Sequence, residues 1–281
     1  MTIEDEILQY LHHHPLSNRG EITLGITNPP SDRTIKRLLA DAITKGIIEV
    51  EGRGPATKYS LTPQSHITMP LDLATYFSKD IDERIIQETF NFRLIKELLP
   101  KVSLFTDEEK HILIATQQQF KNNVSGMSDL EYRKEMERLG VDLSWKSSQI
   151  EGNTYSLLET ERLLKEKQTA SGKTKEEAIM LLNHKEALDF ILDEPDYLKD
   201  ITIHRIEDIH SILTKDLDVN RNIRHRRVGI TGTNYRPLDN EFQIREALED
   251  TCNLINSKES IFEKALLALI LLSYIQAFTD G

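Results

Sequence analysis

Apolar residues recur along most of the chain at three- and four-residue intervals, the spacing of helices that bury one face. Ile3, Ile7, Leu8 and Leu11 form one stripe behind Thr2, a residue suited to an N-cap. A short second helix is predicted at 21–26, broken by Pro29 and Pro30. Ser31 opens a third, whose stripe of Ile35, Leu38, Leu39, Ala42 and Ile43 ends at Gly46. The period then changes. Segments 47–51 and 57–61 read as strands, joined by Gly52, Arg53, Gly54 and Pro55, which suit a hairpin loop. Residues 63–70 read as a linker. Beyond it, helices are predicted at about 81–99, 107–122, 129–151, 157–168, 175–193, 203–218, 242–256 and 261–275. Ser156 with Glu159 and Thr174 with Glu177 form capping boxes, and Thr106 precedes Asp107, Glu108 and Glu109. Segment 226–237 breaks the helical period. Val228 and Ile230 alternate there with glycine and threonine, which predicts a short hairpin.

Three helices followed by a two-stranded wing is the order of a winged helix-turn-helix, which residues 1–65 resemble. That resemblance implies phosphate contacts from Arg33, Lys36 and Arg37 on the third helix and from Arg53 and Lys58 on the wing. Asp32, Asp41, Glu49 and Glu51 weaken the positive bias. The same module serves protein contacts or dimerisation as readily as DNA.

Composition narrows the classes. A chain of 281 residues suits two domains. Its net charge of -11, with 29% charged residues, opposes a surface that coats nucleic acid or membrane throughout. The single cysteine, Cys252, excludes an intrachain disulfide. Glu4, Asp5 and Glu6 argue against a signal peptide, and the apolar run 265–275 is too short to span a bilayer. A cytoplasmic protein without membrane contact is the expectation. His12, His13 and His14 point in different directions on a helix, so a solvated helix end is expected there instead of a metal site.

Ser171, Gly172, Lys173 and Thr174 look like part of a P-loop, but Lys167 stands where its first glycine belongs and no strand precedes it. A capped helix start accounts for them. The informative constellation lies further on. Gln276, Phe278, Asp280 and Gly281 fall on the first, third, fifth and sixth positions of the signature H-x-F-x-[DE]-G-N-[GK]-R-x-x-R. An apolar helix, 261–275, leads into them. Residues 202–217, with Ile206, Ile209 and His210, resemble the helix before the flap of the same family. Arg224 with Val228, Gly229, Ile230 and Thr231 resembles the flap that holds a target peptide. Residues 80–281 therefore resemble the Fic family.

A second motif agrees. Ser147 and Glu151 are four apart, on one helix face, with Gly152 as helix stop. They match the family's inhibitory motif [ST]-x-x-x-E-[GN], in the group that carries it ahead of the Fic core. There the glutamate grips a signature arginine that would otherwise bind the ATP γ-phosphate. A carboxylate and a phosphate compete for the same fork of donors.

The resemblance implies a mainly α fold with a short β-hairpin flap, preceded by the winged-helix module. It implies transfer of AMP from ATP to a Ser, Thr or Tyr hydroxyl of a target protein. Phe278, Asp280 and Gly281 would sit at the nucleotide, and Asp280 would hold Mg²⁺. The chain departs from the pattern at Gln276, where the family has its histidine base, and the signature stops at Gly281. The expected division is 1–65 winged helix, 66–140 linker and leading helices, and 141–281 Fic-like domain, incomplete at its C-terminal end. As given, the chain is expected to be inactive and to hold ATP and Mg²⁺ weakly. The alternative is a DNA-binding regulator in which the Fic-like part is a scaffold. A homodimer is a further expectation.

Overall fold

The computed structural model describes residues 2–70 and 72–279. Among them the fold is mainly α, with twelve α-helices and one short antiparallel hairpin. The chain divides into two compact units: 1–78 with 97–108, and 79–96 with 109–281.

In the first unit, α1 (Ile3–His13), α2 (Arg19–Gly25) and α3 (Asp32–Thr44) precede β1 (Ile48–Glu51) and β2 (Lys58–Leu61). Thr2, Asn18 and Ser31 cap the three helices through their side-chain oxygens. The stripe residues Ile7, Leu11, Ile22, Ile35, Leu39 and Ala42 meet Ile48 and Leu61 in one buried core. Ile43, assigned to that stripe, stands 39% exposed. The strands pair antiparallel with Ile48 opposite Leu61, and Ser17 bridges Tyr59 alongside. Gly25 has no Cβ because the Tyr10 ring occupies that space, at 2.0 Å from where a Cβ would lie.

The expected linker is instead a short helix, α4 (Pro63–Thr68). Thr62 caps it and Pro63 takes the first turn, where a missing N–H costs nothing. A second short helix follows, α5 (Leu73–Ser78). Gln64 exchanges two 2.8 Å hydrogen bonds with the backbone of Ser103, which ties 97–108 into this unit. The histidine triplet is not wholly solvated. His12 packs its ring 5.2 Å from that of His66 with Nδ1 buried, and burial lowers the pKa of both.

The remaining helices are α6 (Asp107–Ser125), α7 (Asp129–Ile150), α8 (Leu157–Glu166), α9 (Lys175–Asp193), α10 (Ile203–Leu213), α11 (Glu241–Ser257) and α12 (Ile261–Ile275). In the second unit α7 packs on α9, α9 on α10, and α11 on α12. Both predicted capping boxes form, at Ser156 with Glu159 and Thr174 with Glu177. α10 ends earlier than its apolar period suggests. Asn183 of α9 donates to the carbonyls of Leu213 and Lys215, at 3.0 and 2.7 Å, and so holds the chain in a non-helical exit.

The helix expected at 81–99 is absent. The stretch holds a short turn at Ile81–Glu83 and a π-turn at Leu94–Leu98, with irregular chain between them. Phe90 and Phe92 both pack against the core of α11 and α12. Residues two apart share a side in extended chain and not in a helix, so this burial selects the extended form.

Candidate functional site

The site is built where α12 ends. Ser260 caps α12, and Leu267, Leu271 and Ile275 form its buried stripe. Ile244, Ala247 and Leu248 of α11 lie in the same cluster as Ile275. The helix is apolar all round, yet Leu269 and Ile270 stand 69% and 52% exposed.

Gln276 terminates α12 in the left-handed conformation, φ 50° and ψ 60°. Its amide Nε2 donates to the Ser273 carbonyl at 2.8 Å. The next turn is held from outside by Arg224. The Arg224 backbone N–H donates to Ala277 O at 3.0 Å, and its Nε donates to Gln276 O at 2.5 Å. The remaining guanidinium nitrogens donate to Arg226 O at 2.7 Å and Leu238 O at 2.5 Å. Arg224 is 2% exposed, and desolvation lowers its pKa from the usual arginine value. Arginine nonetheless stays protonated in proteins, so this is a buried cation whose partners are carbonyl dipoles. Phe278 follows and stacks face to face on His210 of α10, with centroids 4.0 Å apart and 12° between planes. Buried His210 thus forms a floor under the turn.

Glu151 arrives from α7. Gly152 takes φ +85°, its N–H reaches Gln149 O at 3.1 Å, and the Asn153 N–H reaches Ser148 O at 2.9 Å. That pair of bonds closes a helix with a left-handed glycine, which fixes Glu151 as the last residue before the turn. The exit is tied to α9. Asn153 Nδ2 donates to Glu177 O at 2.8 Å, and the Thr154 N–H and hydroxyl both donate to the Glu177 carboxylate, at 2.8 and 2.5 Å. The Thr154 hydroxyl, followed by the Thr174 N–H at the start of α9, holds the Glu177 carboxyl down at about 2. Within α7, Ser148 faces Nδ1 of His184 on α9 at 3.3 Å, and burial lowers the His184 pKa.

These elements enclose a cleft of about 430 Å³ whose lining includes Glu151, Ile206, Ile209, His210, Gln276 and Phe278. Its wall is largely aliphatic. Among the described lining residues Glu151 is the one carboxylate, and neither lysine nor arginine contributes. Gln276 offers an amide, which donates and accepts hydrogen bonds but takes no proton near neutral pH.

Of the residues singled out from the sequence, Glu151, Gln276 and Phe278 therefore meet in one cleft. Ser147 is exposed and does not line it. Asp280 and Gly281, expected at the nucleotide and at Mg²⁺, lie outside the described residues. Among the described residues there is no group of three or more His, Cys, Asp or Glu that could hold a metal ion.

The expected flap hairpin does not form a strand ladder. Residues 226–237 run irregularly through a turn at Thr231 and Gly232, and among the described residues the one hairpin is β1–β2 in the first unit. The flap's partner is 82–89, not its own second half. Arg84 donates to Gly232 O at 3.2 Å, Asn234 donates to Asp82 at 2.8 Å, and the Arg236 N–H donates to Glu88 O at 2.8 Å. Val228, Gly229, Ile230 and Thr231 do not line the cleft.

Sequence reasoning missed the ring stack behind the site. Tyr274 lies between Phe90 and Tyr235, at 4.7 and 4.8 Å, and the Tyr235 hydroxyl donates to Tyr274 O at 2.9 Å. Burial raises the Tyr235 pKa. The period-two pair Phe90 and Phe92 was the available signal.

In the first unit Arg33, Lys36, Arg37, Arg53 and Lys58 are all exposed, and none forms an ion pair with a described residue. Cys252 is buried, and burial pushes its thiol up to about 11, so it is no reactive thiolate. No helix of the described residues is long and apolar enough to cross a membrane.

Comparison with known proteins bears on the same region. The family model described as "Fic/DOC family" matches residues 200–281. Among solved structures, the chain is similar to Fic-1 (aa134 - 508) from C. elegans, with a TM-score of 0.51 and 21% sequence identity. The similarity covers 62% of this chain and 52% of that one, so this chain spans about half the length of that structure. At this identity the likeness concerns the fold. No curated protein matches the chain. Residues 200–281 are thus similar in sequence to the Fic/DOC family, on a mainly α, Fic-like fold.

Proposed function

We propose that this chain is a Fic-type protein in which Glu151 opposes productive nucleotide binding and Gln276 leaves the position of the base without one. The activity such a fold supplies is transfer of AMP from ATP to a Ser, Thr or Tyr hydroxyl of a target protein, with Mg²⁺ on the phosphates. The observation that carries this reading is that Glu151, Gln276 and Phe278 line one cleft although the sequence separates them widely. The described lining does not fit a triphosphate as it stands. A carboxylate within an aliphatic wall repels polyanions, and no described lining residue is a lysine or an arginine. The inhibitory reading of Glu151 accounts for that misfit.

Titration of a fluorescent ATP analogue with Mg²⁺ tests it. Glu151→Gly is expected to bind about tenfold tighter or more than the parent chain, since removing a facing charge worth about 1.4 kcal/mol gives that factor. Equal affinities would remove Glu151 from the role.

A second reading rests on Arg33, Lys36 and Arg37, which share the exposed side of α3 without ion pairs to described residues. It makes the first unit a DNA-binding or protein-binding module of the winged-helix kind, with the Fic-like part as a regulatory scaffold.

A further inference from the structure

We infer that the ring pair His12–His66 is a pH-sensitive latch in the first unit, which holds α4 against α1 near neutral pH and releases it in mild acid. The inference concerns the first unit alone and does not depend on the Fic-type reading.

His12, near the end of α1, lies between two other imidazoles. The His13 ring is 5.0 Å away, and the His66 ring of α4 is 5.2 Å away with 48° between planes. His12 Nδ1 is buried and makes no hydrogen bond with a described residue. A neutral imidazole tolerates that, because one of its ring nitrogens carries no proton. An imidazolium carries a proton on both, so charging His12 in place buries a donor without an acceptor. His66 keeps contact with solvent, so protons have access to the pair.

Nothing around the rings favours their charged form. α4 holds no ionisable residue besides His66. α1 supplies Glu4, Asp5, Glu6 and His13, and β2 supplies Lys58 and Tyr59. The segment 97–108, which Gln64 of α4 holds, supplies Glu97, Lys101, Asp107 and Glu108. Among the described residues no carboxylate of these elements acts on either ring. Burial, and then the like charge of His66, keep the His12 pKa below its usual 6.5, and burial does the same for His66. Folded-state values below the unfolded ones mean that the contact holds in full above about 6.5 and weakens as pH falls below it.

The contact sits where α4 can move. The start of α4 is anchored, since the Thr62 N–H and hydroxyl donate to Ile47 O and Gly46 O, both at 3.0 Å. Beyond that start, the ring pair and Met69 against the core hold the helix down. Gln64 exchanges its two hydrogen bonds with Ser103 from the same helix. Opening α4 therefore also releases 97–108, the stretch that rejoins this unit after the chain has left it at Ser78.

Hydrogen exchange of the whole chain, read by mass spectrometry at about pH 7 and about pH 5.5 and corrected for intrinsic exchange, tests this. Protection of 63–70 and of the Ser103 region is expected to fall more than about tenfold between the two, because each proton taken up on opening adds nearly a factor of ten. The amides of α3 are expected to keep their protection. His66→Gln is expected to shrink the fall, and His12→Gln added to it is expected to abolish it. Should that double variant lose its helical circular dichroism at neutral pH, His12→Phe with His66→Gln keeps a ring on α1 and is expected to be equally insensitive to pH. Constant protection in the parent chain overturns the proposal. So does an undiminished fall in the double variant, or a loss of α3 protection in step with that of α4, which would mark a general loosening in acid.

Discussion

Arg224 donates its Nε–H to the carbonyl of Gln276 at 2.5 Å while its two remaining nitrogens bind the carbonyls of Arg226 and Leu238. One buried side chain thus holds the end of α12, the start of the flap and the approach to α11 together. A planar guanidinium presents a fixed fork of donors, which a lysine ammonium cannot reproduce. Arg224→Lys keeps the charge but leaves buried carbonyls unpaired, and it is expected to cost about 2–4 kcal/mol of stability. The measurement is the urea midpoint at unchanged slope. A midpoint within error of the parent would mean that water replaces the lost bonds and that the clamp is dispensable.

The elements best legible in the sequence were those with a stripe and a cap close together. α1 and α3 start beside Thr2 and Ser31 with an apolar stripe behind each cap, and α8 and α9 start at the capping boxes of Ser156 and Thr174. What failed was decided by distant partners. Residues 81–99 carry enough apolar residues for a helix, but Phe90 stacks on Tyr274 and Thr89 bridges Arg236, contacts that no local period encodes. The flap alternates like a hairpin and instead leans on 82–89. At the site, Glu151 and Gln276 were found through motif spacing, since nothing local joins them. The clamp role of Arg224 was illegible because a charged residue is expected at the surface.

Glu177 serves two partners at once, closing the capping box of α9 and holding Thr154 beside the Glu151 turn. Those bonds to the charged form keep its carboxyl at about 2 instead of 4.5. A folded-state value below the unfolded one means that the contribution is fully present above the unfolded value and fades as pH falls toward the folded one. Glu177→Gln is therefore expected to lower stability by about 0.5–1 kcal/mol near neutral pH, a capping cost discounted for solvent screening. The deficit should shrink in acid, between about pH 4.5 and 2. Denaturant midpoints of parent and variant across that window check it. Parallel profiles would show that the carboxylate is not what ties the turn to α9.

The exposed cations of α3 make a separate, salt-readable prediction. If the first unit binds DNA, changing Arg33, Lys36 and Arg37 together to Ala should weaken binding at every sequence alike. Each lost phosphate contact removes about 0.9 from the slope of log affinity against log salt, so the slope should flatten by up to about three. Gel shifts with random genomic fragments at low salt, repeated at rising salt, supply both numbers. Absence of any shift at low salt would leave protein contacts as the use of this module.

The last prediction concerns chemistry at position 276. The parent chain, given ATP and Mg²⁺, is expected to incorporate no labelled AMP into itself or a lysate, and Glu151→Gly alone is expected not to change that. Removing the carboxylate opens the cleft to phosphate but supplies no base. An amide has no basic lone pair, and its Nε2 already donates to the Ser273 carbonyl. Losing a positioned general base costs about 10²–10⁴ in rate, or roughly 3–5 kcal/mol of barrier. The backbone geometry should survive replacement of the side chain, because the clamp from Arg224 goes to the Gln276 carbonyl and not to its amide. Gln276→His can thus be tested without dismantling the turn. Labelled transfer that first appears when Gln276→His is combined with Glu151→Gly would assign the base to position 276 and the restraint to Glu151. Clear transfer by the parent chain would show that the proton is taken elsewhere and that Gln276 has been misread.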